Sequence, residues 1–352
     1  MRPLGGRRLI VRADATTASG TGHMMRALAL TQAWLDAGGR AKWLVAEAPE
    51  ALLGRIAAEG VPVERLAAAS GGTADAAALK ASLAIDPGAV GVVDGMGFDA
   101  NYLAELDGVA GRVLVVDDMA ALTAYPVALV LNQNAHADRS SYPSATSCRF
   151  LLGTRYVVLR REFVADPPVR TIPARASRLL LTFGGADPTG MTARTIGALR
   201  RLSGETLRDV ALRVIIGAAN RDTDRIRALL AAGPGLDATL AIAVADMPAQ
   251  MAWCDLAITS GGTTVWELAR MGCPALVVET APSEVLLVSG LARVGLFDTL
   301  GQEAGMDEEH MVHGVGARIA DARWRATMSA LGMELVDGRG AGRVVEALAG
   351  LA

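Results

Sequence analysis

The sequence has few of the features that mark a secreted, membrane or nucleic-acid-binding protein. Its three cysteines, Cys148, Cys254 and Cys273, are far apart and in no metal-ligand spacing, which is typical of a reduced cytoplasmic protein. A net charge of -3 leaves no excess of positive charge to attract a nucleic acid. No run approaches the ~18 uninterrupted apolar residues of a membrane-spanning helix, and no apolar segment of a signal peptide follows the first charges. We therefore expect a cytoplasmic protein without a membrane span, in which Cys254 and Cys273 are small buried hydrophobic residues.

Aromatic residues are also scarce, at 4% of the chain, whereas apolar residues make up 51%. The cores must therefore be built from aliphatic side chains. At 352 residues the chain is long enough for two domains, each with its own core. The segment 164–177 contains Pro167, Pro168 and Pro173 and has no periodicity, which is typical of an extended linker. We predict an N-terminal domain over 1–163, a linker over 164–177 and a C-terminal domain over 178–352.

Both halves alternate short apolar runs with segments of helical spacing, which is the pattern of a parallel sheet covered by helices. The predicted strands are 9–11, 41–46, 89–93, 113–116 and 127–131 in the first half, and 178–183, 211–216, 238–244, 256–259 and 275–279 in the second. The predicted fold class is therefore α/β, with two Rossmann-like domains that face each other across a cleft. Such a cleft is a preferred place for a ligand.

The turn Gly20-Thr21-Gly22-His23 lies between the first predicted strand and a predicted helix. A glycine-rich turn at a helix N-terminus directs backbone N–H groups and a positive helix end toward an anion. His23 lies at the start of that helix, and histidine is the side chain best suited to transfer a proton near neutral pH. The alternative is a loop histidine that caps a helix in an ordinary α/β domain.

Polar residues follow three consecutive strands of the first half: Asp94, the pair Asp117-Asp118, and the stretch Asn132-Gln133-Asn134. In open α/β sheets, ligands bind beyond the carboxyl ends of the strands, so these residues point to a site. The alternative is that they only begin turns. Arg26, one turn into the helix from His23, can pair with Asp94 or lie on the surface. His136 is expected to be a plain surface residue.

The second half contains two more glycine-rich turns between a strand and a helix, Gly184–Asp187 and Ser260–Thr263. Neither matches the NAD or ATP cassettes. A single such turn is most often only a tight connection, whereas two in one domain, with a third in the other, favour a diphosphate ligand. Glu267, four residues after Thr263, can accept hydrogen bonds from ribose hydroxyls, and the alternative is a solvated helix face.

In this order the motifs resemble those of the PseG/SpsG family. They are G-x-G-H-x-x-R at 20–26, D-x-x-G at 94–97, D-D at 117–118, N-x-N at 132–134, G-G-x-D at 184–187, S-G-G-x-x-x-x-E at 260–267 and G-x-P at 272–274. The resemblance covers residues 8–300. It implies a glycosyltransferase-B architecture like that of MurG, with UDP held mainly by the second domain. It also implies the activity of the UDP-2,4-diacetamido-2,4,6-trideoxy-β-L-altropyranose hydrolases, in which water attacks the anomeric carbon and UDP leaves without a metal.

The chain departs from this family at two places. Met96 stands where the family usually has a tyrosine that lines the sugar site, and a thioether cannot donate the hydrogen bond of a phenol. Ser283-Glu284 stands where the family usually has Asn-Gln in contact with ligand. A carboxylate near a diphosphate would be repelled unless it faces sugar hydroxyls or a cation. Both changes argue against the altropyranose more than against a nucleotide sugar.

The resulting prediction is a UDP-sugar hydrolase of pseudaminic acid-type or surface polysaccharide synthesis, acting as a monomer, with no cofactor, metal or nucleic acid. His23 is expected to act on the water and Asp94 to orient it. The predicted substrate-binding residues are Gly20, Gly22, Arg26, Met96, Asn132, Asn134, Gly184, Gly185, Asp187, Ser260, Gly261, Gly262, Thr263, Glu267, Ser283 and Glu284. A glycosyltransferase with a UDP-sugar donor, a non-catalytic nucleotide-sugar binder and, more remotely, a dehydrogenase are the alternatives.

Overall fold

The computed structural model describes residues 4–16, 20–144, 146–202, 204–232 and 236–351. The chain divides into two compact units, the first made of Met1–Val164 with Gly338–Ala352 and the second of Ala165–Asp337. Each unit contains one parallel sheet with helices between the strands, which confirms the predicted α/β class. Among the described residues, no helix is long and apolar enough to cross a membrane.

The first unit has a seven-stranded sheet in the order β3-β2-β1-β4-β5-β6-β7, and every neighbouring pair is parallel. Its strands are β1 (Arg8–Ala13), β2 (Arg40–Val45), β3 (Val63–Arg65), β4 (Val90–Asp94), β5 (Val113–Val116), β6 (Leu129–Asn132) and β7 (Arg149–Leu152). The helices between them are α1 (Gly22–Asp36), α2 (Glu50–Ala58), α3 (Thr73–Ile85) and α4 (Ala100–Ala104).

The central strands of this sheet are buried on both faces, which explains their continuous apolar runs. Every residue of β4 and of β5 is buried. On one face, α1 packs Met24, Leu28 and Trp34 against the sheet. From β1 the chain proceeds outward to β2 and β3, and from β4 it proceeds outward in the opposite direction. The carboxyl ends of β1 and β4 therefore form the point at which open α/β sheets bind ligands.

The second unit has a six-stranded parallel sheet in the order β10-β9-β8-β11-β12-β13. Its strands are β8 (Arg178–Thr182), β9 (Ala211–Ile216), β10 (Asp237–Ile242), β11 (Leu256–Ser260), β12 (Ala275–Glu279) and β13 (Asp298–Gln302). Its helices are α5 (Met191–Leu199), α6 (Thr223–Ala231), α7 (Met247–Trp253), α8 (Thr264–Arg270), α9 (Val285–Val294), α10 (Glu308–Ala320) and α11 (Ala322–Leu335). Here the order reverses between β8 and β11.

The last helix, α12 (Gly340–Ala349), belongs to the first unit, although the sequence places it at the end of the predicted C-terminal domain. It buries Val344, Val345 and Leu348 in the core that α1 and β1 share. A Cβ at Gly340 would lie 2.1 Å from the carbonyl oxygen of Val157, so the start of the helix packs directly on first-unit backbone. The predicted C-terminal domain ends at 352, whereas the second unit ends at Asp337. The two differ because the burial of apolar side chains, and not chain order, decides where this helix packs.

The segment 164–177, expected to be a linker, packs on the second unit over most of its length. Arg170 donates hydrogen bonds to the carbonyl oxygens of Cys254, at 2.6 Å, and Met271, at 2.8 Å. The backbone N–H of Ala176 donates to Ile319 at 2.9 Å. Its prolines keep the segment extended, and its polar groups find partners in the second unit.

Candidate active site

The carboxyl ends of β1 and β4 bring His23 and Asp94 into hydrogen-bond contact. His23 is the second residue of α1, which follows β1, and Asp94 is the last residue of β4. Their Nδ1 and Oδ1 atoms are 2.7 Å apart. Two residues 71 positions apart in the sequence therefore meet where the strand order reverses.

Arg26 holds the same carboxylate from the next turn of α1. Its Nε donates to Asp94 Oδ2 at 2.8 Å and its Nη2 donates to Oδ1 at 2.7 Å. The side chain of Asp94 is 1% exposed. Burial alone would raise the pKa of Asp94, but the charge and hydrogen bonds of Arg26, with the hydrogen bond of His23, lower it to about 2. Asp94 is therefore ionised at neutral pH.

The ionised state of Asp94 determines which ring nitrogen of His23 carries the proton. A carboxylate only accepts hydrogen bonds, so the 2.7 Å contact requires that Nδ1 of His23 carry the proton. In the neutral ring the lone pair is then on Nε2. Nε2 has no hydrogen-bond partner among the residues that the structure describes, and the side chain is 19% exposed. The ring is thus oriented by a buried carboxylate and presents a basic nitrogen outward, as in the general-base pairs of hydrolytic enzymes.

Asp118 and Asn134 extend this cluster to the ends of the next two strands. Nη1 of Arg26 donates to both carboxylate oxygens of Asp118, at 3.0 and 2.8 Å. Nδ2 of Asn134 donates to Asp118 Oδ1 at 2.8 Å. Burial would lower the pKa of Arg26, but Asp118 and Asp94 together raise it above its usual value. One guanidinium therefore joins Asp94 at the end of β4 to Asp118 after β5, which decides against a surface position for Arg26.

The remaining polar residues after these strands position the cluster. Asn132 is buried, donates its amide to Tyr142 Oη at 3.0 Å and accepts the backbone N–H of Asn134 at 3.1 Å. Asp117 accepts backbone N–H groups of its own turn, including that of Met119 at 3.0 Å. Asn132 thus supports Asn134 from within the core, and Asp117 is a turn residue, as the alternative interpretation held.

In the second unit, the turn at Gly184–Asp187 is closed by its own carboxylate. Asp187 accepts the backbone N–H groups of Met191 and Thr192, both at 2.9 Å, and so caps the N-terminus of α5. Burial raises the pKa of Asp187, against the opposing effect of these hydrogen bonds. Two of the N–H groups at this helix N-terminus are therefore already bound within the chain, and the predicted contact of the turn with an anion stays a prediction. The turn also packs directly against Gly217, where a Cβ would lie 2.2 Å from the carbonyl oxygen of Gly185.

The other predicted turn, Ser260–Thr263, lies between β11 and α8 and packs against Glu284. A Cβ at Gly261 would lie 2.7 Å from Val288 and 3.0 Å from the Cβ of Glu284, so no larger residue fits there. The carboxylate of Glu284 accepts the backbone N–H of Thr280 at 2.6 Å. Burial raises the pKa of Glu284, and its hydrogen bonds partly offset that effect. An acidic group therefore lies beside the turn that was expected to bind a diphosphate.

Comparison with known proteins gives relatives in sequence and in structure. No family model matches the chain. The spore coat polysaccharide biosynthesis protein SpsG of Bacillus subtilis is 23% identical over 200 residues, which is 57% of this chain and 58% of SpsG. An uncharacterised protein of Methanocaldococcus jannaschii is 23% identical over 194 residues, 53% of this chain and 39% of that protein. The chain thus spans about half the length, or less, of the curated relatives it matches.

Solved structures cover nearly the whole chain. Acinetobacter baumannii MurG superposes with a TM-score of 0.66 at 17% identity, over 97% of this chain and 98% of MurG. The MnaA–UDP complex of S. aureus has a TM-score of 0.66 at 14% identity, over 96% of this chain and 95% of MnaA. The spinosyn rhamnosyltransferase SpnG, complexed with thymidine diphosphate, has a TM-score of 0.61 at 19% identity, over 96% of this chain and 98% of SpnG.

The chain is similar in sequence to SpsG over 57% of its length, and its fold is the glycosyltransferase-B fold of MurG and SpnG.

The other predicted binding residues occupy varied positions. Gly20 has a positive φ of 66°, which explains glycine in the turn before α1, and Gly22 begins that helix. Met96, two residues after Asp94, is 68% exposed. Ser283 is exposed, and Glu267 is half-buried on a helix whose other residues are mostly buried. Their contact with a ligand stays a prediction.

Two residues of the candidate site were not predicted. Asp118 was noticed only as part of a D-D motif, and His136 was expected on the surface. Nε2 of His136 lies 2.8 Å from the carbonyl oxygen of Asp118, so His136 holds the segment that follows β5. The D-D motif after a strand was the signal for Asp118, whereas nothing in the sequence around His136 indicates its contact. Among the described residues, no group of three or more His, Cys, Asp or Glu side chains is placed to hold a metal ion.

Proposed function

We propose that this chain is an enzyme that hydrolyses a UDP-activated diacetamido-trideoxy sugar, releasing UDP and the free sugar. The observation that carries the proposal is the His23–Asp94 pair, in which a carboxylate orients a histidine whose Nε2 has no partner among the described residues. A water molecule is a poor nucleophile until a base removes its proton. The pair supplies that base at the sheet edge where α/β proteins bind ligands.

The reaction balances with the groups present. Nε2 of His23 takes a proton from water while the water oxygen bonds to the anomeric carbon. The bond from that carbon to the diphosphate oxygen breaks, and its electron pair leaves with UDP. Asp94, fixed by Arg26, stabilises the positive charge that forms on His23. The imidazolium then returns its proton to solvent, and no metal enters the proposed step.

The nucleotide is proposed to bind to the second unit, at the turn between β11 and α8. The backbone N–H of Gly261 is already donated to Val278 at 3.1 Å, so the amides offered to a phosphate are those of Gly262 and Thr263. Glu267, on the first turn of α8, is proposed to bind the ribose hydroxyls. The co-structures of MnaA with UDP and of SpnG with thymidine diphosphate support a nucleotide ligand for this fold. The name of SpsG supports a role in polysaccharide synthesis, of the pseudaminic acid type or another surface glycan.

The test is to incubate the purified chain with UDP-diacetamido sugars, without acceptor, and to follow the products by proton NMR. We expect UDP and free sugar in equal amounts, and turnover that EDTA does not reduce. His23→Ala should lower kcat about 100- to 10,000-fold, with UDP affinity by calorimetry nearly unchanged. An equal loss of UDP affinity would assign His23 to binding and overturn its catalytic role.

A glycosyltransferase is the second candidate, because several solved structures of the same fold are named as glycosyltransferases. Exposed Met96 and Met119, which follow β4 and β5 beside the cluster, offer apolar surface for an acceptor. This candidate predicts that UDP release from the donor depends on added acceptor. Tight UDP-sugar binding with no turnover at any pH, with or without acceptor, would instead indicate a non-catalytic binder.

A further inference from the structure

Two cysteines that lie 19 positions apart in the sequence meet in the core of the second unit. Cys254 follows α7 and precedes β11, and Cys273 follows α8 and precedes β12. The two strands are hydrogen-bonded parallel neighbours, and Ala257 pairs with Ala275. Residues that lead into neighbouring parallel strands emerge at the same edge of the sheet. The topology therefore brings the two cysteines side by side, at the edge opposite the turn Ser260–Thr263.

The separation of the two sulfur atoms is the decisive observation. Their Sγ atoms are 2.7 Å apart, and both residues are fully buried. A disulfide bond measures about 2.05 Å, whereas non-bonded heavy atoms pack at about 3.5–4.0 Å. The sulfurs thus lie closer than packing alone allows, at a separation that a small movement converts into a bond. The packing of the surrounding residues holds the two sulfur atoms at this separation.

A fixed positive charge lies beside the pair. The guanidinium of Arg170 donates to the carbonyl oxygen of Cys254 at 2.6 Å and to that of Met271 at 2.8 Å. Burial would raise the pKa of Cys273, but the hydrogen bond from Cys254 and the charge of Arg170 lower it. The charge of Asp255 opposes this effect, but Asp255 is itself paired with Arg178 at 2.8 Å. Cys273 is therefore the sulfur that more readily becomes the nucleophilic thiolate.

We propose that Cys254 and Cys273 are a redox modification site, which forms an internal disulfide when a low-molecular-weight disulfide is the oxidant. The thiolate of Cys273 attacks one sulfur of the oxidant and releases the first reduced thiol. Cys254 then loses its proton and attacks the sulfur of Cys273 in the mixed disulfide, which releases the second. Two protein thiols are oxidised to one S–S bond, and one oxidant molecule is reduced to two thiols.

The bridge encloses the part of the second unit to which the nucleotide is proposed to bind. The segment between the cysteines contains β11, the turn Ser260–Thr263 and α8. A cross-link of this span stabilises a protein mainly by restricting its unfolded chain. The proposal itself does not depend on the proposed hydrolase activity, because it rests on the two thiols alone.

The experiment counts thiols in the whole chain. Reduced protein is equilibrated with oxidised glutathione, both as the folded protein and during refolding, until the count is constant. One sample is then denatured and titrated with a thiol-reactive dye, and a second, unlabelled sample is weighed by mass spectrometry. We expect three thiols to fall to one and the mass to fall by about 2 Da, the loss of two hydrogens. Peptide mapping should place the bond between Cys254 and Cys273, and Tm should rise by about 5 °C or more.

Variants separate this outcome from non-specific oxidation. On oxidation, Cys148→Ala should still lose two thiols and show the same rise in Tm as the wild-type protein. Cys254→Ala and Cys273→Ala should show no loss of two hydrogens and no rise in Tm. Three thiols that persist in the wild-type protein would overturn the proposal. So would glutathione adducts without an internal bond, or a bridge that involves Cys148.

Discussion

Arg26 donates two hydrogen bonds of nearly equal length to Asp94, at 2.7 and 2.8 Å, and its Nη2 lies 3.2 Å from Nδ1 of His23. Arg26 only donates hydrogen bonds, so it cannot accept one from Nδ1 of His23. The acceptor of that hydrogen bond is therefore Asp94, which also makes the shorter contact with the ring. The carboxylate is thereby fixed in place and kept ionised. The orientation of His23 depends on a residue that need not touch a substrate.

The first prediction concerns the hydrogen bond between Asp94 and His23. Asp94→Asn keeps the shape of the side chain but can present an N–H to Nδ1, which favours the tautomer with its proton on Nε2. The base would then face away from the water. We expect kcat to fall about 100- to 10,000-fold, with UDP affinity nearly unchanged, in steady-state kinetics and calorimetry on the same preparation. Full activity in this variant would mean that Asp94 does not set the tautomer.

The second prediction concerns the stability that Arg26 provides. Arg26→Lys replaces a planar fork with a single ammonium group that cannot serve Asp94 and Asp118 at once. We expect unfolding in urea to become easier by about 2–4 kcal/mol, since a buried carboxylate loses part of its pairing. A urea titration followed by circular dichroism measures this change.

The matched control for Arg26→Lys is Arg161→Lys on the surface of the same unit. Arg161 also bridges two carboxylates, Asp36 and Glu59, but its side chain is 44% exposed. Exposed ion pairs contribute about 0–1 kcal/mol, so this variant should unfold almost as the wild type does. Equal losses in the two variants would show that burial does not distinguish the two sites.

The third prediction follows from the low pKa of Asp94. This pKa is about 2 in the folded chain, against about 3.9 in an unfolded chain. A lowered folded pKa gives stability that is present above about pH 4 and is lost as the pH falls through about 2. The contribution is about 2–3 kcal/mol at neutral pH. Asp94→Asn removes the group that titrates. The difference in unfolding free energy between wild type and Asp94→Asn should therefore be largest near neutral pH and should shrink between pH 5 and 2, so that the two stability curves converge at low pH. Parallel curves would contradict the assignment.

The sequence predicts the central strands well because they are buried on both faces and read as apolar runs. It misses β3, β7 and β13, which are short edge strands with exposed or polar residues such as Glu64, Arg149 and Asp298. An edge strand pairs with a single neighbouring strand and is partly exposed, so it lacks the hydrophobic pattern that identifies a buried strand. The packing of α12 on the first unit is also missed, because sequence position says nothing about which core a terminal helix joins.

The site divides in the same way. Strand-end positions suggest that Asp94 and Arg26 meet, because parallel strands end at one edge of the sheet. The cap that Asp187 makes and the contact of Glu284 with the Gly261 turn depend on loop geometry, so no spacing reveals them. In each case a side chain interpreted as a ligand contact has a partner within the chain.

The last prediction concerns Glu284 and rests on the proposed nucleotide site. Its carboxylate lies against the turn of Gly261 and Gly262, so a diphosphate bound there would meet a like charge. Glu284→Gln keeps the size and removes the charge, and we expect it to raise UDP affinity about tenfold at pH 8, or about 1.4 kcal/mol. Glu309→Gln, at a carboxylate that is 80% exposed at the start of α10, is the control and should leave the affinity unchanged.

The pH dependence of UDP binding separates a charge effect of Glu284 from a change in packing. Burial raises the pKa of Glu284, so as the pH falls the carboxyl group becomes neutral and the repulsion fades. The ratio of the UDP affinities of Glu284→Gln and wild type should therefore approach one at low pH. Protonation of the UDP phosphate affects both proteins alike and cancels in that ratio. A ratio that stays constant from pH 8 to pH 5 would show that the Glu284 charge does not oppose the nucleotide, and a ratio below one would show that the carboxylate contributes to binding.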